Sequence, residues 1–526
     1  GCPYGCLFCT SNPGLEKNNR KVRTVAIEKI EEWIAKWVKD YSTERIVVLD
    51  DVVNIDSRRF DALLSIFERF RLRLEIPNGL RADCINEEQI KRLKHLTSSI
   101  KVSLESASLR VQNEVLGKNL DPAAVEKVAD WCRRQEVPLQ IHYMIGIPGE
   151  SRQEINATLL MAKHLFEKFG AQALLQFATP LAGSELDKLC KEKQLLVDEP
   201  DDIHACFQQG SIIETEQFNP EFLKIAADNF VKTVDPTRQR KVIVNLTYRC
   251  NNHCIFCAVG DRPKEDADIA AVTVALGRYR RQGFELLDID GGEPTLHPGL
   301  FELIEQGRQL GFRKISLITN GRRASYRAYA KRLIDSGVDE ILVSLHAAKP
   351  DLQALLSGSP DSYAQTLAGI DNLLRFIKDP DRLAVNTTLL KDNLSDCARL
   401  GEMLSKRGIR RWNLQVVTPF GRAQADQVPE RAKLAALLGS LLSRPPGNMH
   451  IQVINCPPCF LPGFEEKAAL DFGKAGRDMV FVGQHGENLQ DFLAGRRKHD
   501  ERCRECAYLV ACPGFYVFEK QANKHD

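Results

Sequence analysis

Two short groups of cysteines have the types and spacing that could hold a metal cluster. Both read C-x3-C-x2-C with phenylalanine before the last cysteine: Cys2, Cys6 and Cys9 with Phe8, then Cys250, Cys254 and Cys257 with Phe256. Three thiolates on one loop can bind three irons of a 4Fe–4S cube and leave the fourth iron without a protein ligand. An open position is typical of a catalytic metal site, whereas zinc or electron-transfer sites would need a fourth ligand for each trio. The spacing therefore predicts two catalytic iron–sulfur sites.

Composition narrows the class of protein. The chain has 526 residues, sixteen cysteines, and nearly balanced charge, with 72 basic and 70 acidic residues. Grouped thiols in a chain without a recognisable signal peptide favour metal binding over disulfides. Balanced charge gives no reason to expect a nucleic-acid partner, and no apolar run is long enough to predict a membrane span. We therefore expect a cytoplasmic protein with neither kind of partner.

Short apolar runs alternate with helical periodicity after each trio, which predicts parallel sheets with crossover helices. Strands are predicted at 45–49, 72–76, 100–104, 139–145 and 173–177, and again at 242–246, 286–290, 314–318, 340–345, 383–388 and 412–417. The predicted fold class is α/β, with two partial (βα)6 barrels in tandem and a small cysteine-rich C-terminal extension.

The repeat also predicts domain boundaries. We expect a first domain over 1–232, a polar linker over 233–240, a second domain over 241–447 and an extension over 448–526. The second trio follows its own first strand, at 242–246, whereas no strand precedes the first trio. The repeat therefore predicts a further strand before Gly1, that is, an N-terminally truncated first domain.

The trio motif, with its aromatic residue and its place after the first strand of a βα barrel, resembles the radical S-adenosylmethionine (SAM) superfamily. The resemblance covers most of the chain, in two copies. It implies two SAM-binding 4Fe–4S clusters, with SAM chelating the open iron of each. It also implies reductive cleavage of SAM to a 5′-deoxyadenosyl radical that abstracts a substrate hydrogen. The expected electron donor is a flavodoxin or ferredoxin type of protein.

The second half is similar to the branch that contains molybdenum-cofactor synthases and peptide-modifying enzymes. A Gly-Gly-Glu-Pro motif follows strand 286–290, and by resemblance it binds the methionyl amine of SAM. Glycines permit a close backbone approach, and a glutamate can accept from an ammonium group. Four later strand-end residues, Asn320, Ser344, His346 and Asn386, would by resemblance contact the SAM carboxylate and ribose, with ordinary capping as the alternative. The other predicted contacts are Gly291, Gly292, Glu293 and Pro294.

The first half resembles the cobalamin-dependent and elongator-like branch instead. Asp50 and Asp51 stand where the glycine motif would be, and by resemblance Glu105, in an E-S-x-S motif, faces SAM. For the two aspartates, capping of the helix that begins near residue 57 is the alternative. The cobalamin signature D-x-H-x-x-G does not occur in this sequence. Cobalamin therefore has no support from these residues, although in that branch such a domain usually precedes the SAM module.

Five cysteines near the C-terminus form a third group. A structural zinc ribbon would use Cys456, Cys459, Cys503 and Cys506. The alternative is an auxiliary iron–sulfur cluster, because the extension resembles the SPASM or twitch domains of the peptide-modifying branch. Five cysteines exceed what zinc needs, so we favour iron–sulfur, with Cys459, Cys503, Cys506 and Cys512 as ligands and Cys456 spare.

The sequence thus predicts an enzyme that modifies a peptide or small metabolite by hydrogen abstraction. Because the first half resembles the cobalamin-dependent and elongator-like branch, methyl or methylthio transfer is the alternative reaction. The non-enzymatic alternative is an iron–sulfur electron carrier or scaffold. The fold does not select the substrate, because proteins that share a barrel differ in the side chains that line it.

Overall fold

The computed structural model describes residues 1–10, 22–197, 206–235, 240–469, 477–483 and 486–518. The chain forms two compact units, one of residues 1–235 with 500–510 and one of residues 236–499 with 511–526. Their division after Asp235 falls within the predicted linker over 233–240, of which residues 236–239 lie outside the described residues. Among the helices that the structure describes, none is long and apolar enough to cross a membrane.

The first unit alternates strands and helices. Its strands are β1 (Arg45–Val47), β2 (Arg73–Glu75), β3 (Ile100–Glu105), β4 (Leu139–Ile145) and β5 (Gln172–Phe177). Its helices are α1 (Ile27–Tyr41), α2 (Ser57–Arg69), α3 (Glu87–Leu93), α4 (Pro122–Arg134), α5 (Arg152–Phe169), α6 (Glu185–Glu192), α7 (Cys206–Gln209) and α8 (Pro220–Thr233). β1 pairs with β2, and β4 pairs with both β3 and β5, all in parallel. This arrangement confirms the predicted α/β class with parallel strands.

Local signals fix these helix ends. In α5, Ser151 accepts from the backbone of Glu154 while the Glu154 side chain accepts from the backbone of Ser151, which is a capping box. The helix ends at Gly170, which has φ 72°, a left-handed conformation that glycine adopts without strain. In α3, Asn86 and Gln89 form a second capping box.

The second unit is built on one larger sheet. Its strands are β6 (Arg240–Thr247), β7 (Phe284–Gly291), β8 (Lys314–Thr319), β9 (Glu340–Ser344), β10 (Leu383–Leu389), β11 (Arg411–Val416), β12 (His450–Ile454), β13 (Arg477–Val480), β14 (Glu487–Asn488), β15 (Arg497–Lys498) and β16 (Phe515–Tyr516). Its helices are α9 (Ile269–Arg281), α10 (Leu300–Gln309), α11 (Arg327–Asp335), α12 (Pro350–Ser357), α13 (Ser362–Phe376), α14 (Cys397–Lys406), α15 (Arg431–Ser443) and α16 (Leu489–Ala494).

Strands β6 to β12 lie side by side in chain order, all parallel, as successive βα units wound in one direction would place them. β13 adds in parallel to the other side of β6, and β14 pairs antiparallel with β13. Sequence reasoning predicted six strands here and missed β12 and β13, which lie within the stretch predicted as an extension. β12 buries only Ile451 and Val453, and two alternate apolar residues are a weak strand signal.

The two faces of this sheet differ in polarity. One face supplies apolar side chains such as Val244, Leu317 and Trp412 to a core that the helices complete. The opposite face carries charged side chains, among them Glu340, whose carboxylate is almost fully buried. Glu340 accepts from Ser316 at 3.0 Å and pairs with Lys314 at 2.9 Å and with Arg411. These partners satisfy a charge that would otherwise be costly to bury.

We predict that Glu340→Gln lowers the free energy of unfolding by about 1–3 kcal/mol at pH 7, since it leaves two cations without their carboxylate and both are partly exposed. Burial raises the pKa of Glu340, but the hydrogen bonds from Lys314 and Arg411 outweigh burial and hold the pKa below its usual value. Its contribution is therefore present above the unfolded pKa of about 4.3 and is lost as the pH falls through the folded pKa.

Urea unfolding at pH 7 and at acid pH measures this effect. The stability difference between wild type and Glu340→Gln should shrink as the pH falls. Glu285→Gln is the matched control, since the Glu285 side chain is about half exposed and faces Arg313 at 3.8 Å. A difference that stays constant with pH would contradict the assignment.

Candidate metal and cofactor sites

The first cysteine trio lies on a loop held by backbone hydrogen bonds. The amide of Cys9 donates to the carbonyl of Cys6 at 3.1 Å, which closes the C-x2-C turn. The amide of Leu7 donates to the carbonyl of Leu116 at 3.0 Å. Leu116 follows the π-helical turn Val111–Val115 after β3. The segment after β3 therefore fixes the position of the loop.

The second trio lies on a loop of the same design. The amide of Cys257 donates to the carbonyl of Cys254 at 3.3 Å, and the amide of Ile255 donates to the carbonyl of Leu356 at 3.1 Å. Leu356 belongs to α12, which follows β9. Ile255 occupies the same place in its motif as Leu7 does in the first. Both loops are thus held by a leucine carbonyl at corresponding points of the two chain halves.

A glycine follows each of these leucines and contacts its loop. Gly117, with φ 66°, lies against the carbonyl of Gly5. Gly358, with φ 60°, lies so close to His253 that a Cβ atom would stand 2.5 Å from the His253 carbonyl oxygen. Positive φ and close approach both favour glycine at these positions.

The thiols within each trio are neighbours. Burial raises the pKa of Cys6 to about 11 and that of Cys254 to about 12, and the charges of the other cysteines of each trio add to the rise. All sixteen cysteines are free thiols. Among the described residues, no three His, Cys, Asp or Glu side chains converge on a single ion. The donors of each trio are three thiols on one short loop, the kind of ligand that iron–sulfur clusters use.

The first trio opens onto a cavity of about 330 Å³. Two of the predicted SAM contacts, Asp51 and Glu105, line this cavity together with all three cysteines. Asp50 does not line it and faces a separate, largely apolar groove beside α1. The cavity is also lined by residues that sequence reasoning did not single out, namely Asn78, Arg81, Ser103 and Lys118.

Glu105 enters this cavity through an irregular strand end. The register of β3 against β4 shifts between Ser103 and Glu105, which is a β-bulge. Glu105 has φ 68°, a conformation that residues with a side chain adopt rarely. Its carboxylate pairs with the buried ammonium of Lys118 at 2.9 Å.

Each unit has an Asn-Gly pair soon after one of its strands, after β2 in the first unit and after β8 in the second, and the two glycines, Gly79 and Gly321, have φ 77° and 73°. Asn78 donates to the carbonyls of Leu49 and Asp50 at 3.1 Å. In the second unit, Asn320 donates to the Asn251 side chain at 2.7 Å, and its amide nitrogen stands 4.0 Å from the sulfur of Cys250. The recurrence of Asn-Gly was the sequence signal that would have identified Asn78.

An arginine follows each Asn-Gly pair and contacts the cysteine loop. The Arg81 guanidinium stacks on the ring of Tyr4 at 3.7 Å and donates to the carbonyls of Lys118 and Asn119. Arg322 donates to Asn252 at 2.8 Å and to the backbone of Asn251. In each unit the arginine therefore holds the cysteine loop against the segment that follows the Asn-Gly pair.

The Gly-Gly-Glu-Pro backbone runs directly along the second cysteine loop. The amide of Gly292 donates to the carbonyl of Thr247 at 2.6 Å, and the amide of Glu293 donates to that of Arg249 at 2.8 Å. A Cβ atom on Gly291 would stand 2.5 Å from the Thr247 carbonyl oxygen, and one on Gly292 would collide with that of Arg249. Both glycines are therefore required by packing as well as by any ligand.

The Glu293 carboxylate is fully buried and already well bonded. It accepts from the Thr319 hydroxyl at 2.7 Å, from the amide of Asn320 at 2.7 Å and from Thr295. Burial raises its pKa, against the hydrogen bonds from these partners. Glu293 therefore braces the ends of β7 and β8 against each other, and Pro294 begins the short 3₁₀ turn that follows. In the first unit, Asn54 makes the comparable link to the backbone of Arg81.

Ser344 and Asn386 are register partners on β9 and β10, so their side chains share one face of the sheet. Asn386 accepts from Asn413 on β11 at 2.8 Å. Nearby, His346 is buried and packs edge-on against Phe256 with ring centroids 4.8 Å apart. Burial lowers the pKa of His346 to about 4, so the ring is neutral at neutral pH and supports the cysteine loop.

The five C-terminal cysteines fall into two sets. Cys503 and Cys506 lie on a turn of the first unit, where the Asn156 side chain on α5 donates to the carbonyls of Arg504 and Cys506. Cys456, Cys459 and Cys512 belong to the second unit. Burial raises the pKa of Cys456, and the charges of Cys459 and Cys512 raise it further, so these three thiols are neighbours.

Residues 1–162 and 244–404, together more than half of the chain, match the family model of the radical SAM superfamily. The chain belongs to the radical SAM superfamily. Membership confirms the predicted class of enzyme and its 4Fe–4S and SAM chemistry. The number of clusters does not follow from the match.

Two curated relatives are similar to part of the chain. The AdoMet-dependent heme synthase of Methanosarcina barkeri (strain Fusaro / DSM 804) is 28% identical over 193 residues, which cover 36% of this chain and 54% of that relative. A probable GTP 3′,8-cyclase of Saccharolobus islandicus (strain Y.N.15.51 / Yellowstone #2) is 27% identical over 180 residues, 34% of this chain and 57% of the relative. The chain thus spans little more than half the length of either.

Among solved structures, SuiB of Streptococcus suis bound to S-adenosylmethionine aligns with a TM-score of 0.41 and 15% identity. The alignment covers 62% of this chain and 82% of SuiB. The maturase HydG aligns with a TM-score of 0.36, 13% identity, and coverage of 58% of this chain and 64% of HydG.

We predict that Gly292→Ala removes most of the iron bound at the second trio, because the new methyl group would push the Arg249 carbonyl and the loop that continues to Cys250. Overpacking of this kind costs about 1–3 kcal/mol. Iron and sulfide analysis of anaerobically reconstituted protein measures the effect. The matched control is Gly439→Ala in α15, where a Cβ atom meets nothing within 4 Å. Full iron occupancy in Gly292→Ala would contradict the packing argument.

Proposed function

We propose that the chain carries two radical SAM modules, one in each compact unit, and that both cleave SAM reductively. One observation carries this proposal: each cysteine loop is held through its central residue, Leu7 or Ile255, by the carbonyl of a leucine, Leu116 or Leu356. A loop that is held in this way in both units suits a site that must hold a cluster in one orientation. The residues matched by the family model also fall in both units.

In this proposal, Cys2, Cys6 and Cys9 bind one 4Fe–4S cluster, and Cys250, Cys254 and Cys257 bind the other. A reduced cluster supplies the electron that cleaves SAM. In the second unit, the backbone of Gly291 and Gly292 forms the methionyl site, and Ser344, Asn386 and Asn320 bind the polar groups of SAM. In the first unit, Asp51 and Glu105 contact SAM.

The substrate of this proposal is a peptide or a small metabolite that loses a hydrogen atom. The face of the second sheet that carries Asp288, Ser344, Asn386 and Asn413 is polar, which suits a substrate rich in hydrogen-bonding groups. Methyl or methylthio transfer is the second candidate, favoured by Asp51 and Glu105 of the first unit. Methyl label passing from SAM to product distinguishes it. The electron donor of flavodoxin or ferredoxin type and the cytoplasmic location stay predictions.

We predict that replacing either trio by alanine (Cys2, Cys6 and Cys9, or Cys250, Cys254 and Cys257) removes about four irons per chain, the content of one cube. Each replacement should also lower reductive formation of 5′-deoxyadenosine, because each removes one of two sites. The double replacement should abolish it. Liquid chromatography of dithionite-reduced reactions measures the nucleoside.

The matched control replaces Cys132 and Cys397, two buried thiols outside the trios. It should leave the iron content unchanged. If one triple variant forms 5′-deoxyadenosine and product at the wild-type rate, that unit is not catalytic and the proposal of two active modules is wrong.

We further propose an auxiliary iron–sulfur cluster at the C-terminal cysteines. Cys459, Cys503, Cys506 and Cys512 remain the predicted ligands, and the closeness of Cys456 to Cys459 and Cys512 adds Cys456 as a candidate. Zinc is the alternative metal, since four cysteines also suit a tetrahedral structural site.

We predict that replacing Cys456, Cys459 and Cys512 by alanine lowers the iron content by up to about four atoms per chain and leaves the two SAM-binding clusters in place. Metal analysis of protein purified without oxygen measures both iron and zinc. Loss of about one zinc with unchanged iron would establish the zinc ribbon instead.

A further inference from the structure

The buried pair of Lys118 and Glu105 is a feature of the first site that its predicted motifs do not explain. Lys118 Nζ stands 2.9 Å from Glu105 Oε1 and also donates to the carbonyl of Ser103 at 2.6 Å. Both side chains are about nine-tenths buried, and both line the cavity that contains the cysteine trio. A buried lysine is rare unless it is paired, so its position here needs a reason.

The backbone around Lys118 is fixed by the cysteine loop. Its carbonyl accepts from Arg81, whose guanidinium lies over Tyr4 of that loop. Two residues earlier, the carbonyl of Leu116 accepts from Leu7. The ammonium group is therefore held at a set place relative to the three sulfurs and is not a long side chain free to move.

The pair also controls the direction of Glu105. The β-bulge at Ser103 and the positive φ of Glu105 turn its carboxylate into the cavity. Its hydrogen-bond donor there is Lys118. Without the ammonium, a buried carboxylate would lose its counter-charge, which is strongly unfavourable.

The positive charge of Lys118 lies near the cysteines of the first trio. Lys118, Glu105 and the three cysteines line the same cavity, so both charges stand beside the place that a cluster would take. In the second unit, the segment after Leu356 reads Ser357, Gly358 and Ser359 and holds no lysine, and the Ser359 hydroxyl accepts from Arg322. The ammonium group is thus particular to the first site and does not belong to the shared support of both loops.

We propose that Lys118 is a positioning residue of the first site: it aims the Glu105 carboxylate at SAM and places a positive charge beside the cluster that the trio holds. This inference rests on the proposed function of the first unit. A cluster gains negative charge when it is reduced, so a nearby cation favours reduction and a nearby anion disfavours it. Lys118 and Glu105 therefore act on the reduction potential with opposite signs.

The test uses the full chain with the second trio replaced by alanine, so that the SAM-responsive cluster signal comes from the first site. Potentiometric titration followed by electron paramagnetic resonance gives the potential. We expect Lys118→Met to shift the potential to more negative values and Glu105→Gln to shift it to more positive values. Lys118→Arg should stay close to wild type, and the double variant should fall between the single variants.

A second measurement follows SAM itself, by equilibrium dialysis with labelled SAM. Lys118→Met and Glu105→Gln should each weaken binding on the order of tenfold, as expected for loss of a charge-assisted hydrogen bond. Lys118→Arg should keep most of the affinity. Lys127→Met, on the exposed side of α4, removes the same charge from the chain and should change neither measurement.

The outcomes separate the two proposals. If the background protein holds no reducible cluster, the first site itself is wrong and the role of Lys118 with it. If the cluster is present and cleaves SAM but both single variants shift the potential in the same direction, or not at all, Lys118 is merely structural and the inference is overturned. If Lys118→Met fails to assemble a cluster, two results still test the inference: the potential of Glu105→Gln should shift to more positive values, and Lys118→Arg should keep its affinity for SAM. The absence of both would overturn the inference.

Discussion

The conformation of each cysteine loop, which hydrogen bonds from outside the loop hold, is the constraint on which both sites depend. Three thiolates can hold a cube in one orientation only if their loop has one conformation, and a loop of eight residues has no secondary structure of its own to provide it. The carbonyls of Leu116 and Leu356 provide it from outside. The strand and helix that precede each leucine must therefore be in place before the metal site can exist, which ties cluster binding to folding of the whole unit.

In each unit a buried side chain links the backbone of two neighbouring segments near the cysteine loop, but the side chain differs between the units. In the second unit, glycines let the backbone of β7 lie directly on the cysteine loop, and the buried Glu293 carboxylate joins that segment to the amide of Asn320. In the first unit, Asn54 makes the same kind of link with its neutral amide. A neutral side chain needs fewer donors than a buried carboxylate. The two units therefore make a comparable link with different side chains.

Sequence reasoning located the parallel strands and the two trios because both depend on short-range patterns: apolar runs that alternate with helical periodicity, and cysteine spacing. It missed β12, whose two buried residues give too short a pattern. It also missed Lys118 and Arg81, since nothing in their local sequence distinguishes a buried cation from an exposed one, and it overlooked the recurring Asn-Gly pair that marks Asn78. It placed Asp50 and Asp51 together, although only Asp51 lines the cavity beside the first trio and Asp50 lines a separate groove.

Besides Arg81 and Arg322, each loop has a further cation near its cysteines, and this one comes from a different part of the fold in each unit. In the first unit this is Lys118, after β3. In the second it is Arg422, after β11, whose amide donates to the Cys257 carbonyl at 3.0 Å and whose charge opposes the burial that raises the pKa of Cys254 and Cys257. Three thiolates and a cube form an anionic group in a partly buried place, where electrostatic effects are larger than in water. Because the backbone fixes the loop geometry, the charges around the two cysteine loops are free to differ, and in this chain they do differ.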